Sequence, residues 1–191
     1  MPARKPTMTY AEYLVFEEKS VEKHEFLDGE VFAMAGGTIE HAGRAAAICG
    51  ALGTALRELR CCVYSSNLRV RIRATGLTTY PDVSVACGCA EADAEDKCAI
   101  VNPVLLVEVL TDSSEAYDRG DKAAHYRQLP SLREYLLVSQ HRPHIEVYRR
   151  NEAGRWELFE YECGSHVELA SVGCTIAVDE VYRDPLAAAA S

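Results

Sequence analysis

The strongest pattern of apolar and polar positions lies in two Val- and Leu-rich runs, residues 80–86 and residues 104–110. Each run is typical of a buried strand and carries one carboxylate, Asp82 in the first and Glu108 in the second. The polar stretch between them, residues 91–97, predicts a solvated loop, so we expect the two runs to pair as antiparallel strands. The predicted register places Asp82 opposite Glu108.

Further elements are predicted before this pair. Thr9 and Glu12 have the spacing of a capping box, which predicts a helix through about Lys19. The dipeptide Asp28-Gly29 between two apolar runs predicts a type I′ hairpin. Two more elements follow: a helix capped by Thr38 and running to about Leu59, and an alternating strand that contains Arg69, Arg71 and Arg73.

After the acidic strands, the pattern predicts a second helix, one more strand and a hairpin. The helix spans Tyr117 to about Leu129 and is stopped by Pro130, and the strand spans residues 134–138. The hairpin consists of residues 144–148 and 156–161, and residues 166–169 and 175–178 extend it. The order α-β-β-β-α-β predicts an α/β (α+β) fold with a central mixed sheet, flanking helices and hairpins at both ends.

The chain has 191 residues and no linker long enough to divide it, which predicts a single domain over residues 1–191. Its predicted parts are an N-terminal helix and hairpin (1–37), a core (38–139), a C-terminal hairpin extension (140–183) and a tail (184–191). No apolar run approaches the roughly 20 residues of a membrane span, and no signal core follows the basic N-terminus. We therefore expect a cytoplasmic protein that does not enter a membrane.

The eight cysteines match neither the spacing of a secreted disulfide framework nor that of a zinc site, so we expect reduced thiols in core positions. The formal net charge of −9 argues against a protein that coats nucleic acid through bulk electrostatics. A local basic surface is still compatible with that charge. Arg69, Arg71 and Arg73 share one strand face, where they either contact phosphates or form an ordinary solvated face.

The acidic pair is the main candidate for chemistry. Two carboxylates placed opposite each other repel unless a cation, a shared proton or a basic side chain compensates them. Alternatively, Glu108 faces water at a sheet edge and Asp82 belongs to a turn after Pro81. The apolar residues on both sides of Glu108 favour a buried, compensated carboxylate.

The chain resembles the PD-(D/E)XK, restriction-endonuclease-like nucleases, and within them the Uma-two branch of bacterial endonucleases. The order and spacing of several short stretches carry this resemblance. They are residues 8–14 (MTYAEYL), 25–31 (EFLDGEV), 40–41 (EH), 80–83 (YPDV), 107–114 (VEVLTDSS), 117–122 (YDRGDK) with Tyr126, and 134–135 (EY).

The resemblance implies a site on these stretches. By this resemblance, the ligands of a Mg²⁺ or Mn²⁺ ion would be Asp82, Glu108 and the carbonyl oxygen of Val109. All three supply hard oxygen atoms, which these ions prefer. The superfamily lysine two residues after the glutamate is replaced by Leu110, and the resemblance assigns its role to Lys122 instead. Lys122 is otherwise explained as a surface ion pair with Asp118, four residues earlier on the helix.

Two residues at the start of the longer helix are further candidates. Glu40 is either the supporting acid of the site or an acid favoured by the helix dipole. His41 either points at the site or is buried and hydrogen-bonded. Ser139 stands where relatives often carry an acid.

The resemblance implies a metal-dependent endonuclease that cleaves DNA and forms a homodimer. Two alternatives stay open. One is a binding or scaffold protein that has kept the fold and lost catalysis, and the other is an enzyme for a small phosphorylated molecule.

Overall fold

The computed structural model describes residues 7–34 and 36–184, and Thr9 caps its first helix. The Thr9 hydroxyl accepts a hydrogen bond from the Glu12 backbone N–H at 3.2 Å, and the Glu12 side chain accepts from the Thr9 N–H at 2.8 Å. This confirms the predicted capping box and helix. The hairpin at Asp28-Gly29 is also confirmed, because both residues have positive φ (47° and 90°), as a type I′ turn requires.

The helices and strands follow one another in a mixed order. Their bounds are α1 Tyr10–Lys19, β1 His24–Leu27, β2 Glu30–Ala33, α2 Ile39–Ala55, β3 Cys61–Ser65, β4 Arg69–Ile72, β5 Leu77–Thr79, β6 Val83–Cys87, β7 Ala99–Ile100, β8 Leu105–Leu110, α3 Glu115–Arg119, α4 Asp121–Tyr126, β9 Glu134–Ser139, β10 His144–Arg150, β11 Trp156–Glu162, β12 His166–Leu169, β13 Cys174–Ala177 and α5 Val178–Tyr182.

The central sheet has six strands in the order β11-β10-β9-β8-β6-β3. It is mixed, because β8 pairs with β9 in parallel while its other neighbour, β6, is antiparallel. All six residues of β8 are buried, as its apolar sequence predicts. The register Val83↔Val107 confirms the predicted pairing, and its next step places Asp82 opposite Glu108.

Two apolar layers cover the faces of this sheet. On one face, Ile48 and Leu52 of α2 pack with Val107 of β8 and Val181 of α5. On the other face, a layer built around Tyr126 of α4 joins the central sheet to a five-stranded sheet in the order β2-β1-β5-β4-β7. Because successive side chains on a strand point to opposite faces and Val107 lies in the first layer, Glu108 faces the second layer.

The strand order of the predicted core needs one correction. The arginine strand, β4, belongs to the five-stranded sheet, and β3 is the strand that pairs with β6. Arg69 of β4 and Arg73, directly after it, pair with Asp96 and Asp93 of the 88–98 loop, which ties this strand to that loop. Directly after that loop comes β7, which pairs with β4 in parallel.

The predicted helix from Tyr117 to about Leu129 is in fact two short helices, α3 and α4, which meet at Gly120. A Cβ at this position would lie 2.9 Å from the Ala116 carbonyl oxygen, so only glycine fits the break. The predicted end of the longer helix, α2, moves from Leu59 back to Ala55.

The expectation of reduced thiols is wrong for one pair, since Cys61 and Cys87 form a disulfide. They are direct partners on the neighbouring antiparallel strands β3 and β6, and this position brings two Cβ atoms close together. The other six cysteines are free.

At the C-terminal end, the hairpin of β10 and β11 is confirmed. Strands β12 and β13 form a separate two-stranded sheet and do not extend that hairpin as predicted. The predicted tail, residues 184–191, lies outside the described residues apart from Asp184. Within the described part of the chain, none of the helices has the length and apolar character of a membrane span.

Candidate active site

Asp82 lies directly before β6, at the edge of the predicted site. Its Oδ2 accepts a hydrogen bond from the Val109 backbone N–H at 2.8 Å, which ties it to the residue after Glu108. The same oxygen lies 3.2 Å from Nε2 of His41, and the Asp82 side chain keeps 13% of its surface exposed. Asp82 is therefore fixed in place and still reachable from solvent.

His41 comes from the first turn of α2, which Thr38 caps through a 3.1 Å hydrogen bond from the His41 N–H. A Cβ at Gly37 would meet the His41 ring at 2.5 Å, so glycine leaves the space that the ring occupies. The hydrogen bond to Asp82 raises the pKa of His41 above its ordinary value, although partial burial opposes this. A protonated His41 compensates the Asp82 charge.

Glu108 lies in the middle of the second apolar layer with 4% of its surface exposed. Its Oε1 accepts a hydrogen bond from the Tyr126 hydroxyl at 2.6 Å and lies 2.9 Å from Nζ of Lys122. Burial raises the pKa of Glu108 above its ordinary value, the Lys122 ammonium opposes the shift, and Asp118 and Asp82 add to it.

Lys122 of α4 is buried, with three carboxylates around its ammonium group. Besides Glu108, its Nζ lies 3.3 Å from Glu25 and 3.4 Å from Asp118. Burial alone would lower the pKa of Lys122, but these carboxylates outweigh it and the pKa rises. The predicted surface ion pair with Asp118 therefore exists, but it is buried and forms part of a larger cluster.

This acid–lysine cluster consists of Asp82, Glu108, Asp118, Glu25 and Lys122. Three of the four carboxylates contact Lys122 and the fourth, Asp82, contacts His41, so with all four acids ionised the cluster carries surplus negative charge even when His41 is protonated. Burial raises the pKa of Asp118 above its ordinary value, with Lys122 opposing the rise. Burying a surplus of negative charge is unfavourable for folding, and a bound cation would offset this free-energy cost.

Glu25 and Asp118 belong to the cluster but are not among the site residues predicted from the sequence. Glu25 lies on β1, where its carboxylate accepts hydrogen bonds from the hydroxyls of Thr79 and, at 3.2 Å, Tyr117. The signal for Glu25 in the sequence is limited to its place in residues 25–31, one of the stretches that carry the family resemblance. Asp118 lies one helical turn before Lys122, a spacing that fits an exposed pair equally well.

Two other residues named from the sequence lie apart from the cluster. Glu40 is exposed, and hydrogen bonds from its own backbone N–H and from Thr38 lower its pKa. Leu110, at the position of the superfamily lysine, is 5% exposed and packs in the second apolar layer. Lys122 reaches Glu108 from α4 instead, at 2.9 Å.

Of the three arginines in residues 69–73, two pair with aspartates and the third is held by neutral groups, which favours their structural explanation over phosphate contact. Arg69 forms a bidentate pair with Asp96 at 2.6 and 2.8 Å, and Arg73 contacts Asp93 at 2.6 Å. Arg71 donates a 3.0 Å hydrogen bond to Thr78 and stacks on an aromatic ring of α1. We call these three arginines and their partners the arginine ladder.

One other acidic group resembles a metal site. Within residues 7–34 and 36–184, His144, Glu146 and Glu160 are the one set of three ligand-type side chains whose atoms lie within 4.8 Å of one another. Arg119 already holds Glu146 through a bidentate pair, at 2.5 and 2.8 Å. This group is therefore compensated, unlike the acid–lysine cluster.

Comparison with known proteins identifies relatives over most of the chain. The Uma2 family model, described as "Putative restriction endonuclease", matches residues 10–179. The uncharacterized protein slr1290 of Synechocystis sp. (strain ATCC 27184 / PCC 6803 / Kazusa) is 39% identical over 93% of this chain and 93% of its own length. The uncharacterized protein sll1609 of the same organism is 32% identical over 80% of this chain and 86% of its own length.

A solved structure from Anabaena variabilis ATCC 29413, described as a "putative nuclease belonging to DUF820", has a similar fold. The TM-score is 0.74 with 14% identity, over 92% of this chain and 97% of that chain. At this identity the likeness concerns the fold alone, and it agrees with the restriction-endonuclease-like architecture expected from the sequence. The matched family model and the two relatives together show that this chain is a member of the Uma2 family.

Proposed function

We propose that this protein is a metal-dependent endonuclease that hydrolyses phosphodiester bonds in DNA. The observation that carries the proposal is the surplus of buried carboxylates around Lys122 at one end of a restriction-endonuclease-like sheet. The Uma2 family and the Anabaena protein, which are both described as nucleases, support the same reaction class.

The donor atoms of the cluster fit a hard divalent cation. Carboxylate and carbonyl oxygens are the ligands that Mg²⁺ and Mn²⁺ prefer, and Asp82 with Glu108 and the Val109 carbonyl would supply them. A cation bound there would lower the pKa of a water molecule and stabilise negative charge on the phosphate. The surplus of negative charge in the cluster fits such a cation.

The protein's own groups have separate tasks in this proposal. The Tyr126 hydroxyl and the Lys122 ammonium fix one oxygen of Glu108 from two sides, so the carboxylate is oriented before substrate binds. The Lys122 ammonium would stabilise negative charge on the phosphoryl oxygens or orient the attacking water. His41 holds Asp82 from the solvent side, and Glu40 stays a candidate supporting acid on the first turn of α2.

Plasmid and single-stranded DNA cleavage with Mg²⁺ and Mn²⁺ tests the proposal. We expect the wild type to cleave, and Asp82→Asn and Glu108→Gln to lose at least about 10²-fold in rate. Asp93→Asn is the matched control, because it removes an acid from the arginine ladder and should keep the wild-type rate. No cleavage by the wild type with either metal or substrate would contradict the proposal.

A scaffold or binding role is the second candidate, and one observation favours it. Lys122 is only 4% exposed and makes three ion pairs, as a purely structural lysine would. Under that role the wild type would bind a partner without cleaving DNA, and Glu108→Gln would change stability alone. Homodimer assembly and a cytoplasmic location also stay predictions, and sedimentation equilibrium would measure the first of them.

A further inference from the structure

We propose that a pocket formed by Arg127, Arg133 and Arg150 binds a backbone phosphate of the nucleic-acid substrate, away from the acid–lysine cluster. The inference rests on the proposed function, because it names how a DNA strand is held beside that cluster. The pocket has a volume of about 420 Å³ and lies where the end of α4 meets the start of β9 and the end of β10.

The three arginines differ from most others in the fold because they have no carboxylate partner among the described residues. Elsewhere, the arginines with buried or half-buried side chains pair with an acid or a carbonyl oxygen, as Arg69 does with Asp96 and Arg149 with Glu134. The Nε of Arg150 is buried and has no hydrogen-bond acceptor. Guanidinium groups that have no carboxylate partner and surround an open space are a suitable receptor for a phosphate oxyanion.

The fold holds these arginines in place without neutralising them. The Arg150 backbone N–H donates to the Arg133 carbonyl at 2.8 Å, which keeps the two residues side by side. The Arg127 guanidinium lies over the Tyr148 ring, 5.6 Å from its centre. Glu152 is the one acid that lines the pocket, and it is exposed, so three positive charges face one negative charge.

The position of the pocket relates it to the acid–lysine cluster. Leu137 is the register partner of both Glu108 and Glu146, so these two acids lie in one row across the sheet. Arg150 follows Glu146 by four residues on β10 and therefore faces the same side of the sheet. The implied backbone separation of Arg150 from Glu108 is about 16 Å, from two strand spacings of about 4.8 Å across the sheet and four residues of about 3.3 Å along it.

The net charge of the chain favours a local basic site for DNA binding over a general one. At −9, the protein repels nucleic acid overall, and two arginines of the arginine ladder, Arg69 and Arg73, are already paired with Asp96 and Asp93. The arginine pocket is a local region of the opposite sign. It can hold one phosphate without a general attraction for polyanions.

The salt dependence of DNA binding tests this assignment. The full-length wild type and the double variant Arg127→Gln/Arg133→Gln are titrated with a fluorescent duplex DNA of about 20 base pairs in EDTA at several salt concentrations. Both arginines are exposed, so the variant should melt at the wild-type temperature. We expect the slope of log Kobs against log salt to become shallower by about 0.9, because the pocket holds one phosphate and each phosphate contact on duplex DNA contributes about 0.9.

The double variant Arg57→Gln/Arg60→Gln is the matched control, since it removes the same charge at two exposed arginines after α2, outside the pocket. Its slope should equal the wild-type slope. An unchanged slope in the pocket variant, or an equal fall in both variants, would overturn the proposal.

Calorimetry with inorganic phosphate separates the two sources of a phosphate group. Binding that needs Arg127 and Arg133, together with an unchanged DNA slope, would assign the pocket to a free phosphate compound and overturn the nucleic-acid assignment. Because the binding assay contains no metal, it is independent of cleavage. If the pocket variant changes the salt slope but the wild type never cleaves DNA, the phosphate site stands and the proposed nuclease activity is wrong.

Discussion

The acid–lysine cluster and the arginine ladder both combine carboxylates with basic side chains but balance their charges differently. In the ladder, Arg69 and Arg73 each have one aspartate, and Asp96 meets Arg69 through two hydrogen bonds. In the cluster, Lys122 is shared by three carboxylates, and a fourth, Asp82, lies nearby. Balanced pairs hold two segments together, whereas an unbalanced buried group suits the cation binding that we propose.

Lys122→Met should produce the largest effect on stability. It removes the one cation among Glu25, Glu108 and Asp118, and an uncompensated buried charge typically costs about 3–5 kcal/mol. Urea denaturation at neutral pH measures this loss. Arg73→Gln is the control from the ladder, and it should cost at most about 1 kcal/mol because the Arg73 side chain is 57% exposed. Equal losses in the two variants would remove the distinction between the regions.

Arg69→Gln should have an intermediate effect, about 1.5–3 kcal/mol, because the hydrogen bonds to Asp96 and Tyr80 involve a charged and mostly buried group. The same denaturation experiment measures it. This variant sharpens the comparison, since the ladder should affect stability while leaving DNA cleavage per folded molecule unchanged. A large loss of cleavage with intact folding would assign the ladder a functional role.

Asp118→Asn should have the smallest effect and the opposite sign. Because burial raises the pKa of Asp118, its contribution to stability is fully present below its ordinary pKa and is lost as pH rises through the raised value. At neutral pH, neutralising this acid should therefore stabilise the metal-free protein, by less than about 1 kcal/mol. The difference between variant and wild type should shrink on acidification. Destabilisation at neutral pH would show that the cluster has no surplus charge.

The antiparallel pairing of the acidic strands is predictable from the sequence because both strands are apolar on two faces and a polar loop joins them. Their register is confirmed. The alternation of Arg69, Arg71 and Arg73 is a strong local signal for a strand, yet it does not reveal the sheet to which the strand belongs. Asp93 and Asp96, from a distant loop, decide that, and pairing between a loop and a strand leaves no periodic pattern.

The candidate site is predictable only in part, because some of its residues come from segments that are distant in the sequence. Motifs point to Asp82, Glu108 and Lys122, and the structure brings Lys122 to Glu108. Glu25 escapes prediction because it arrives from β1, in another sheet and 83 positions before Glu108. The disulfide between Cys61 and Cys87 also escapes prediction. It depends on the position of β3, and the short run CCVYS has no pattern that marks it as a strand of the core.

The most direct test of the account is the melting temperature of the protein with and without Mn²⁺ or Mg²⁺. If the surplus carboxylates bind the cation, a metal concentration about 100 times Kd should stabilise the wild type by about 2.7 kcal/mol, which is several degrees for a chain of this size. Asp82→Asn and Glu108→Gln should lose most of this gain, while Asp93→Asn in the ladder should keep it. A melting temperature that metal leaves unchanged, or raises equally in Glu108→Gln, would contradict the central claim.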